Sequence, residues 1–159
     1  MTEIVNHIHD MKRGVDFIGV GVVFICHDGK GNVLLHKRSN KCRDEHGRWD
    51  CGAGAVEFGE DLEQAVRREV KEEYHTDAKE IKFMNHVNVL RKNGETPTHW
   101  LSMRYSVLVD PKNVANGDPE KIDQIGWFKQ ENFPAPLHSI FAQTLDLVDK
   151  VLKEAEKHS

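Results

Sequence analysis

Three glutamates near the middle of the chain, Glu69, Glu72 and Glu73, have the type and spacing needed to bind a divalent metal ion. At about 100° per residue, Glu69 and Glu73 fall inside the apolar stripe of a predicted helix, and Glu72 falls at its edge. The stripe itself is formed by Leu62, Ala65, Val66 and Val70. Burying carboxylates is costly, and a hard divalent cation with oxygen ligands removes both the desolvation cost and their mutual repulsion.

Ordinary ion pairing is the alternative, because Glu69 and Glu73 could form solvated pairs with basic residues of the same helix. Those basic residues are Arg67, Arg68 and Lys71. The helix by itself does not separate the two interpretations. The preceding segment 47–60, GRWDCGAGAVEFGE, favours the metal, because glycines let the backbone approach a ligand closely and leave its carbonyl oxygens accessible.

This segment and the helix together resemble the signature of the Nudix hydrolases, G-x5-E-x7-R-E-U-x-E-E-x-G-U, in which U is a bulky aliphatic residue. Gly54 is followed after five residues by Glu60 and after seven more by Arg68, which begins the run REVKEE. The chain departs from the signature only afterwards, where His75 replaces the family's glycine and Thr76 its aliphatic residue. The family's glycine closes the helix in a left-handed conformation, so the difference affects that turn and leaves the carboxylate face intact.

The resemblance implies hydrolysis of a nucleoside diphosphate linked to a further group X, with Mg²⁺ or Mn²⁺ as cofactor. It implies that Glu69, Glu72 and Glu73 bind the metal, together with the main-chain carbonyl of Ala53. The family's usual Gly-Gly in that loop is here Gly52-Ala53-Gly54. Members differ in which carboxylate acts as general base, so both Glu69 and Glu72 remain candidates.

Four further residues receive roles from the same resemblance. Arg68 is expected to orient a glutamate by ion pairing, and Glu60 is expected to support the cluster from the helix start. Arg38 ends the second predicted strand, where related proteins often place a phosphate-contacting arginine, although a solvated strand end would also explain it. Glu120 is a candidate for reaching metal or substrate from its loop, and a surface charge beside a turn-forming proline is its alternative.

The elements that must position these residues are those of an α+β protein. Strands are predicted over 15–26, 32–37, 80–91, 98–110 and 122–128, and helices over 60–74 and from Leu137 to Leu152. The resemblance implies a Nudix-like α/β/α sandwich in one domain spanning 1–159, with the motif at 54–76. In it a curved mixed sheet carries the motif helix on one side and the C-terminal helix on the other.

Composition excludes several other classes of protein. A net charge of −4 over 159 residues argues against binding to a nucleic acid polymer or an anionic membrane. The longest apolar run, Phe17 to Cys26, is too short for a membrane helix, and no secretory signal is evident. Three cysteines without C-x-x-C spacing predict no disulfide and no paired-cysteine zinc site. We therefore expect a reduced, soluble, cytoplasmic protein.

The expected reaction is hydrolysis of a nucleoside triphosphate, unmodified or oxidised, to the monophosphate and pyrophosphate. ADP-ribose or another nucleoside diphosphate derivative is the alternative substrate. A non-catalytic Nudix-fold nucleotide-binding protein is the alternative class, which the intact motif carboxylates disfavour. The family is often dimeric, so a homodimer is an open alternative. Trp49, Trp100 and Trp127 could stack on a base, but core or rim packing is the favoured role for each.

Overall fold

The computed structural model describes residues 10–158, so residues 1–9 and 159 of the expected single domain lie outside the described part. The strands are β1 (Gly19–His27), β2 (Val33–Arg38), β3 (Trp49–Asp50), β4 (Gly52–Ala55), β5 (Glu80–Asn93), β6 (Thr96–Leu108) and β7 (Ile122–Phe128). The α-helices are α1 (Leu62–Tyr74), α2 (Ser139–Ala142) and α3 (Leu145–Glu156). Short 3₁₀ turns cover Pro111–Asn113 and Gln130–Asn132.

These strands form one mixed sheet with β1 at its centre. Its order is β3-β2-β1-β6-β5, with β4 also paired to β1 and β7 also paired to β2. The β1–β6 pair is parallel, whereas β1 pairs antiparallel with both β2 and β4. The β5–β6 hairpin closes through a two-residue turn in which Gly94 has φ of 63°, a conformation that favours glycine.

The two faces of the sheet carry separate cores, because side chains along β1 alternate between them. Phe24 packs in the core that contains Val70 and Tyr74 of α1. The next residue, Ile25, packs in the core that contains Val148 of α3. Both faces are therefore covered by helices, which confirms the predicted α+β class and the sandwich arrangement.

The motif helix α1 is held at both ends by local interactions. Asp61 and Gln64 form a capping box, so the helix begins at Leu62, two residues later than predicted. At the other end His75 adopts the left-handed conformation, with φ of 50° and ψ of 31°, and its N–H donates to the carbonyl of Lys71. The turn expected from a glycine is thus retained with histidine in its place.

The C-terminal helix differs from the prediction, because it is divided into α2 and α3. Thr144 lies between them, and its hydroxyl donates to the carbonyl of Phe141 at 2.7 Å, which competes with helical bonding at that position. Leu137 precedes both helices and forms a bridge with Trp49. The apolar spacing is satisfied on both sides of the break, so periodicity alone indicated a single helix.

Two expectations from composition can be compared with this structure. No helix within residues 10–158 is long and apolar enough to span a membrane. Cys26, Cys42 and Cys51 are all free, and the first and last of them are buried. The absence of a disulfide among these three residues agrees with the prediction.

Candidate active site

A cleft of about 500 Å³ lies between α1, β4 and the loop that precedes β7. We call it the glutamate cleft, because Glu69, Glu72 and Glu73 line it together with residues 53–55 of β4. Helix α1 brings the three carboxylates to one wall, as the 3.6-residue period predicted. The structure therefore places the predicted metal-binding residues around one shared space.

Arg68 organises the mouth of the glutamate cleft. Its guanidinium donates to both oxygens of Glu60, at 2.7 and 2.9 Å, and to Oε1 of Glu69 at 2.7 Å. It also donates to the carbonyl of Ala55 at 2.9 Å and more weakly to Glu72 at 3.4 Å. The hydrogen bonds from Arg68 lower the pKa of Glu60 to about 2, so this carboxylate stays ionised and fixed.

Glu69 occupies space that only a glycine on β4 can leave open. A Cβ added at Gly54 would lie 2.0 Å from Cδ of Glu69, so any larger residue would displace this carboxylate. The side chain of Glu69 is only 13% exposed, and burial raises its pKa despite the hydrogen bond from Arg68. The motif's first glycine thus has a steric role in the site.

Glu73 is the most deeply buried of the three carboxylates. Its Oε2 has no hydrogen-bond partner within the described residues, while the Ala53 N–H donates to the carboxylate. Burial raises its pKa well above the usual value, and the nearby charges of Glu69 and Asp50 raise it further. A buried carboxylate oxygen without a donor, in a cleft lined by two other glutamates, fits a divalent cation with oxygen ligands.

The main-chain N–H and carbonyl of Ala53 point toward the glutamate cleft and not toward β1. A hydrogen bond from the Val56 N–H to the Val20 carbonyl sets the β1–β4 register, in which Val23 faces Ala53. Hydrogen-bonded and non-hydrogen-bonded pairs alternate along an antiparallel ladder, so Ala53 belongs to a non-bonded pair. Its N–H and carbonyl therefore point away from β1, which is consistent with the ligand predicted from the sequence.

The loop before β7 contributes Asp118, and not the predicted Glu120, to the glutamate cleft. Gly117 donates its N–H to the Glu73 carbonyl at 2.8 Å, which docks the loop on the end of α1 and brings Asp118 close enough to raise the pKa of Glu73. Glu120 is exposed and pairs with Lys41 at 2.6 Å. This arrangement matches the surface-charge alternative for Glu120.

A buried histidine forms part of the wall behind the glutamates. Nδ1 of His36 lies 2.7 Å from the Tyr74 hydroxyl, and both residues are buried. Burial, assisted by the charge of Arg38, lowers the pKa of His36 to about 3. The ring is therefore neutral at physiological pH and forms a fixed polar contact between β2 and α1.

A second cleft, of about 310 Å³, opens on the opposite face of the sheet. We call it the sheet cleft, and its floor and walls include Val23, Trp100, Ser102, Arg104, Ile140 and Phe141. It shares Arg38, Arg43, Asp44 and residues 53–55 with the glutamate cleft. The two clefts therefore meet at β4, and one extended ligand could occupy both.

Arg38 lies at this junction. Its guanidinium donates to Oδ1 of Asp44 at 2.9 Å and to the carbonyl of the same residue at 3.0 Å, and it lies 3.8 Å from Asp50. Its side chain is only 18% exposed, which argues against a simple solvated strand end. Arg38 is thus positioned beside both clefts, with its geometry set by two carboxylates.

Glu45 holds the loop 39–48 in place, and the sequence analysis assigned it no role. Its carboxylate accepts hydrogen bonds from Arg91 at 2.8 Å and from the N–H and hydroxyl of Ser139, and it lies 2.7 Å from His138 Nε2. Asp44, Glu45 and His138 bring potential metal ligands within 4.8 Å of one another. Both Glu45 oxygens are already occupied by these donors, so the cluster is an ion-pair network. Glu45 and its partner Ser139 are 94 residues apart in the sequence, and no local pattern connects them.

The three tryptophans have different environments. Trp49 is buried and packs edge-on against Phe128, with ring centroids 5.3 Å apart, and Trp127 packs against the core beneath α1. Trp100 instead lines the sheet cleft, and a Cβ at Gly19 would lie 2.6 Å from its ring. Core packing is thus confirmed for two of them, and Trp100 is the one placed to contact a ligand.

Comparison with known proteins agrees with this geometry. The Nudix domain family matches residues 17–148. The chain is similar to the 8-oxo-dGDP phosphatase NUDT18 of Danio rerio, at 26% identity over 143 residues, covering 90% of this chain but only 40% of that protein. This chain therefore spans well under half the length of that relative.

Two solved structures show the same fold. The MutT Nudix hydrolase from Burkholderia pseudomallei aligns with a TM-score of 0.71 and 26% identity, covering 80% of this chain and 95% of that one. The Nudix domain of Shewanella oneidensis NrtR complexed with ADP ribose aligns with a TM-score of 0.70, covering 96% and 99% respectively. At 19% identity, this second likeness shows the fold alone.

Proposed function

The chain belongs to the Nudix family of hydrolases, and on this premise we propose that it cleaves a phosphoric anhydride of a nucleoside triphosphate in the glutamate cleft. The observation that carries the proposal is the buried carboxylate of Glu73, which lines the glutamate cleft with Glu69 and Glu72 and whose Oε2 has no hydrogen-bond partner among the described residues. Within a protein such a group is stable when a cation is bound beside it.

The residues that would hold Mg²⁺ or Mn²⁺ are the three glutamates and the carbonyl of Ala53, all of which are oxygen ligands. The cation supplies charge neutralisation for phosphate oxygens and lowers the pKa of a bound water. Glu69 and Glu72 remain the two candidates for general base. Arg68 fixes Glu69 and Glu60, so the carboxylates are oriented before substrate arrives.

The meeting of the two clefts supports a nucleotide substrate. With the phosphates at the glutamates, the nucleoside would cross β4 and enter the sheet cleft, where Trp100 offers a flat apolar surface. Arg38 at the junction would contact a phosphate. The expected products are the nucleoside monophosphate and pyrophosphate.

Two other substrates are alternatives. The similarity to the 8-oxo-dGDP phosphatase of Danio rerio supports an oxidised purine nucleotide, and the ADP ribose bound by the NrtR domain supports a nucleoside diphosphate derivative. A nucleotide-binding protein without turnover is the remaining class. The complete set of motif carboxylates favours an enzyme, because binding alone does not require a base and a metal cluster together.

The test is a panel of nucleoside triphosphates, oxidised purine triphosphates and ADP-ribose, each with and without Mg²⁺, scored for pyrophosphate and monophosphate. Glu72→Gln should lower turnover by roughly 10²-fold or more, because it removes a charged ligand and a candidate base. Its side chain is 59% exposed, so the fold should survive. Glu63→Gln, also exposed on α1 but outside the cleft, is the matched control.

Mg²⁺-dependent pyrophosphate release from a triphosphate would support the proposal. Cleavage of ADP-ribose alone would keep the chemistry and replace the substrate. Full turnover by Glu72→Gln would remove that residue from the catalytic group, and Mg²⁺ binding without turnover across the panel would favour the binding protein.

A further inference from the structure

Arg104 is buried and makes no hydrogen bond or ion pair with the described residues. The residue is 9% exposed, and its Nε is fully buried with no hydrogen-bond acceptor. Within residues 10–158, no hydrogen bond or ion pair engages its guanidinium. Buried arginines are normally paired with a carboxylate or with carbonyl groups, because an uncompensated buried charge is costly. No hydrogen bond or ion pair with the described residues therefore offsets the cost of burying this charge.

The position of Arg104 places its guanidinium in the sheet cleft. On β6 it pairs with Val23 of β1, which in turn pairs with Ala53 of β4. Residues at matching register point to the same face, so these three line one row across the cleft. Ser102 and Trp100, two and four residues earlier on β6, share that face and also line the cleft.

The other arginines of the sheet cleft have different surroundings. Arg38 and Arg91 contact Asp44 at 2.9 and 3.5 Å, whereas Arg43 is exposed to solvent and lies 3.9 Å from the same carboxylate. Among the described residues that line this cleft, Arg104 is thus the buried arginine that no acceptor engages. A ligand in the cleft would supply the acceptors that the protein does not.

The surroundings of Arg104 indicate what kind of acceptor this would be. The flat ring of Trp100 and the apolar side chains of Val23, Ile140 and Phe141 suit an aromatic ring better than a hydrated anion. The guanidinium fork matches two acceptors lying side by side in one plane, as O6 and N7 do in guanine and hypoxanthine. Adenine has an amino donor at position 6 beside the N7 acceptor, so it could accept only one of the two hydrogen bonds from the guanidinium.

We propose that Arg104 determines base specificity by donating hydrogen bonds to O6 and N7 of a 6-oxopurine in the sheet cleft. This inference rests on the proposed function, because it takes the sheet cleft as the nucleoside end of the substrate site. It narrows the substrate class to guanine or hypoxanthine nucleotides. 8-Oxoguanine keeps O6 but carries a hydrogen on N7, so it offers Arg104 one acceptor and should bind more weakly than guanine.

The experiment measures binding of monophosphates by calorimetry without Mg²⁺, so that no hydrolysis is involved. GMP and IMP should bind about 10- to 100-fold more tightly than AMP, since good bidentate recognition of a base discriminates by this much. 7-Deaza-GMP, which lacks the N7 acceptor, should bind about tenfold more weakly than GMP. Arg104→Met should bind all four nucleotides with similar affinity.

Two further variants keep the result interpretable. Arg104→Lys retains the charge but loses the fork, and should lose the response to 7-deaza substitution. Arg67→Met changes an exposed arginine of α1 that donates to the Ala78 carbonyl, outside both clefts, and should retain full discrimination. Melting curves of each variant establish that the fold is intact.

Equal affinity of the native protein for GMP and AMP, or retained discrimination in a folded Arg104→Met, would overturn the proposal. Tighter binding of 8-oxo-GMP than of GMP would also overturn it. A native protein that discriminates bases but hydrolyses no triphosphate would leave this inference standing and refute the proposed function instead. Hydrolysis of triphosphates without base discrimination would refute this inference and support the proposed function.

Discussion

The substitution Gly54→Ala tests the geometry of the glutamate cleft most directly. A Cβ at this position would lie 2.0 Å from Cδ and 2.2 Å from Oε1 of Glu69. Gly54 does not have the left-handed φ that would make alanine strained, so steric conflict with Glu69 is the main effect. Non-bonded carbons are comfortable at about 3.5–4.0 Å, and Glu69 must therefore move by roughly 1.5 Å.

This displacement has a calculable cost. It separates Glu69 from Arg68, whose Nη1 now lies 2.7 Å away, and the loss of such a charge-assisted hydrogen bond costs about 1.5–3 kcal/mol. Metal ligation tolerates errors of only about 0.2 Å, and misplacing a catalytic group by about 1 Å costs on the order of 10²-fold in rate. We expect Gly54→Ala to lose about 2 kcal/mol of stability and about 10²-fold in kcat/KM.

A double-mutant cycle isolates the cause. Urea unfolding would be measured for the native protein, Gly54→Ala, Glu69→Ala and the double variant, and Mn²⁺ affinity would be measured by electron paramagnetic resonance. Because the three atoms nearest the added Cβ all belong to Glu69, Gly54→Ala should cost under about 0.5 kcal/mol once Glu69 is alanine. An equal cost in both backgrounds, or native kcat/KM in Gly54→Ala, would refute the placement of Glu69 against β4.

Two other substitutions test the buried His36 behind the glutamates and the left-handed turn that ends α1. Burial lowers the pKa of His36 to about 3, so between pH 6.5 and 3 the unfolded chain binds a proton that the folded chain does not, and stability falls as the pH falls. We expect the free energy of unfolding, measured with urea, to fall between pH 7 and pH 4 by about 3 kcal/mol more in the native protein than in His36→Gln. An equal fall in the two proteins would contradict this prediction. His75→Gly should raise the melting temperature by about 2–4 °C, since glycine adopts the left-handed turn without the cost that histidine bears, and a decrease would show that the His75 ring stabilises the turn.

Local periodicity was sufficient to predict the carboxylate face. Glu69 and Glu73 are four residues apart, and any α-helix brings such residues to one side within a single turn. The turn at Gly94 and the left-handed end of α1 at His75 also depend on a few neighbouring residues. These features require no knowledge of the rest of the chain.

Tertiary contacts decided which loop residues enter the site. Asp118 and Glu120 are two residues apart, and the family resemblance made Glu120 a candidate, with a surface charge as its alternative. Docking of Gly117 on the Glu73 carbonyl turns Asp118 toward the cleft and leaves Glu120 beside Lys41. Which of two nearby carboxylates faces a distant helix depends on where that helix lies, and no local spacing encodes it.

The same reason explains why Arg104 had no predicted role. In the sequence it is one polar residue in a strand, at the same alternation as Trp100 and Ser102. Its significance comes from Val23 and Ala53, each more than 50 residues away in the sequence. Parallel pairing of β6 with β1 and antiparallel pairing of β1 with β4 place both residues in the same row as Arg104. Short-range patterns thus determined the chemistry of α1, whereas the sheet register determined which residues surround the ligand.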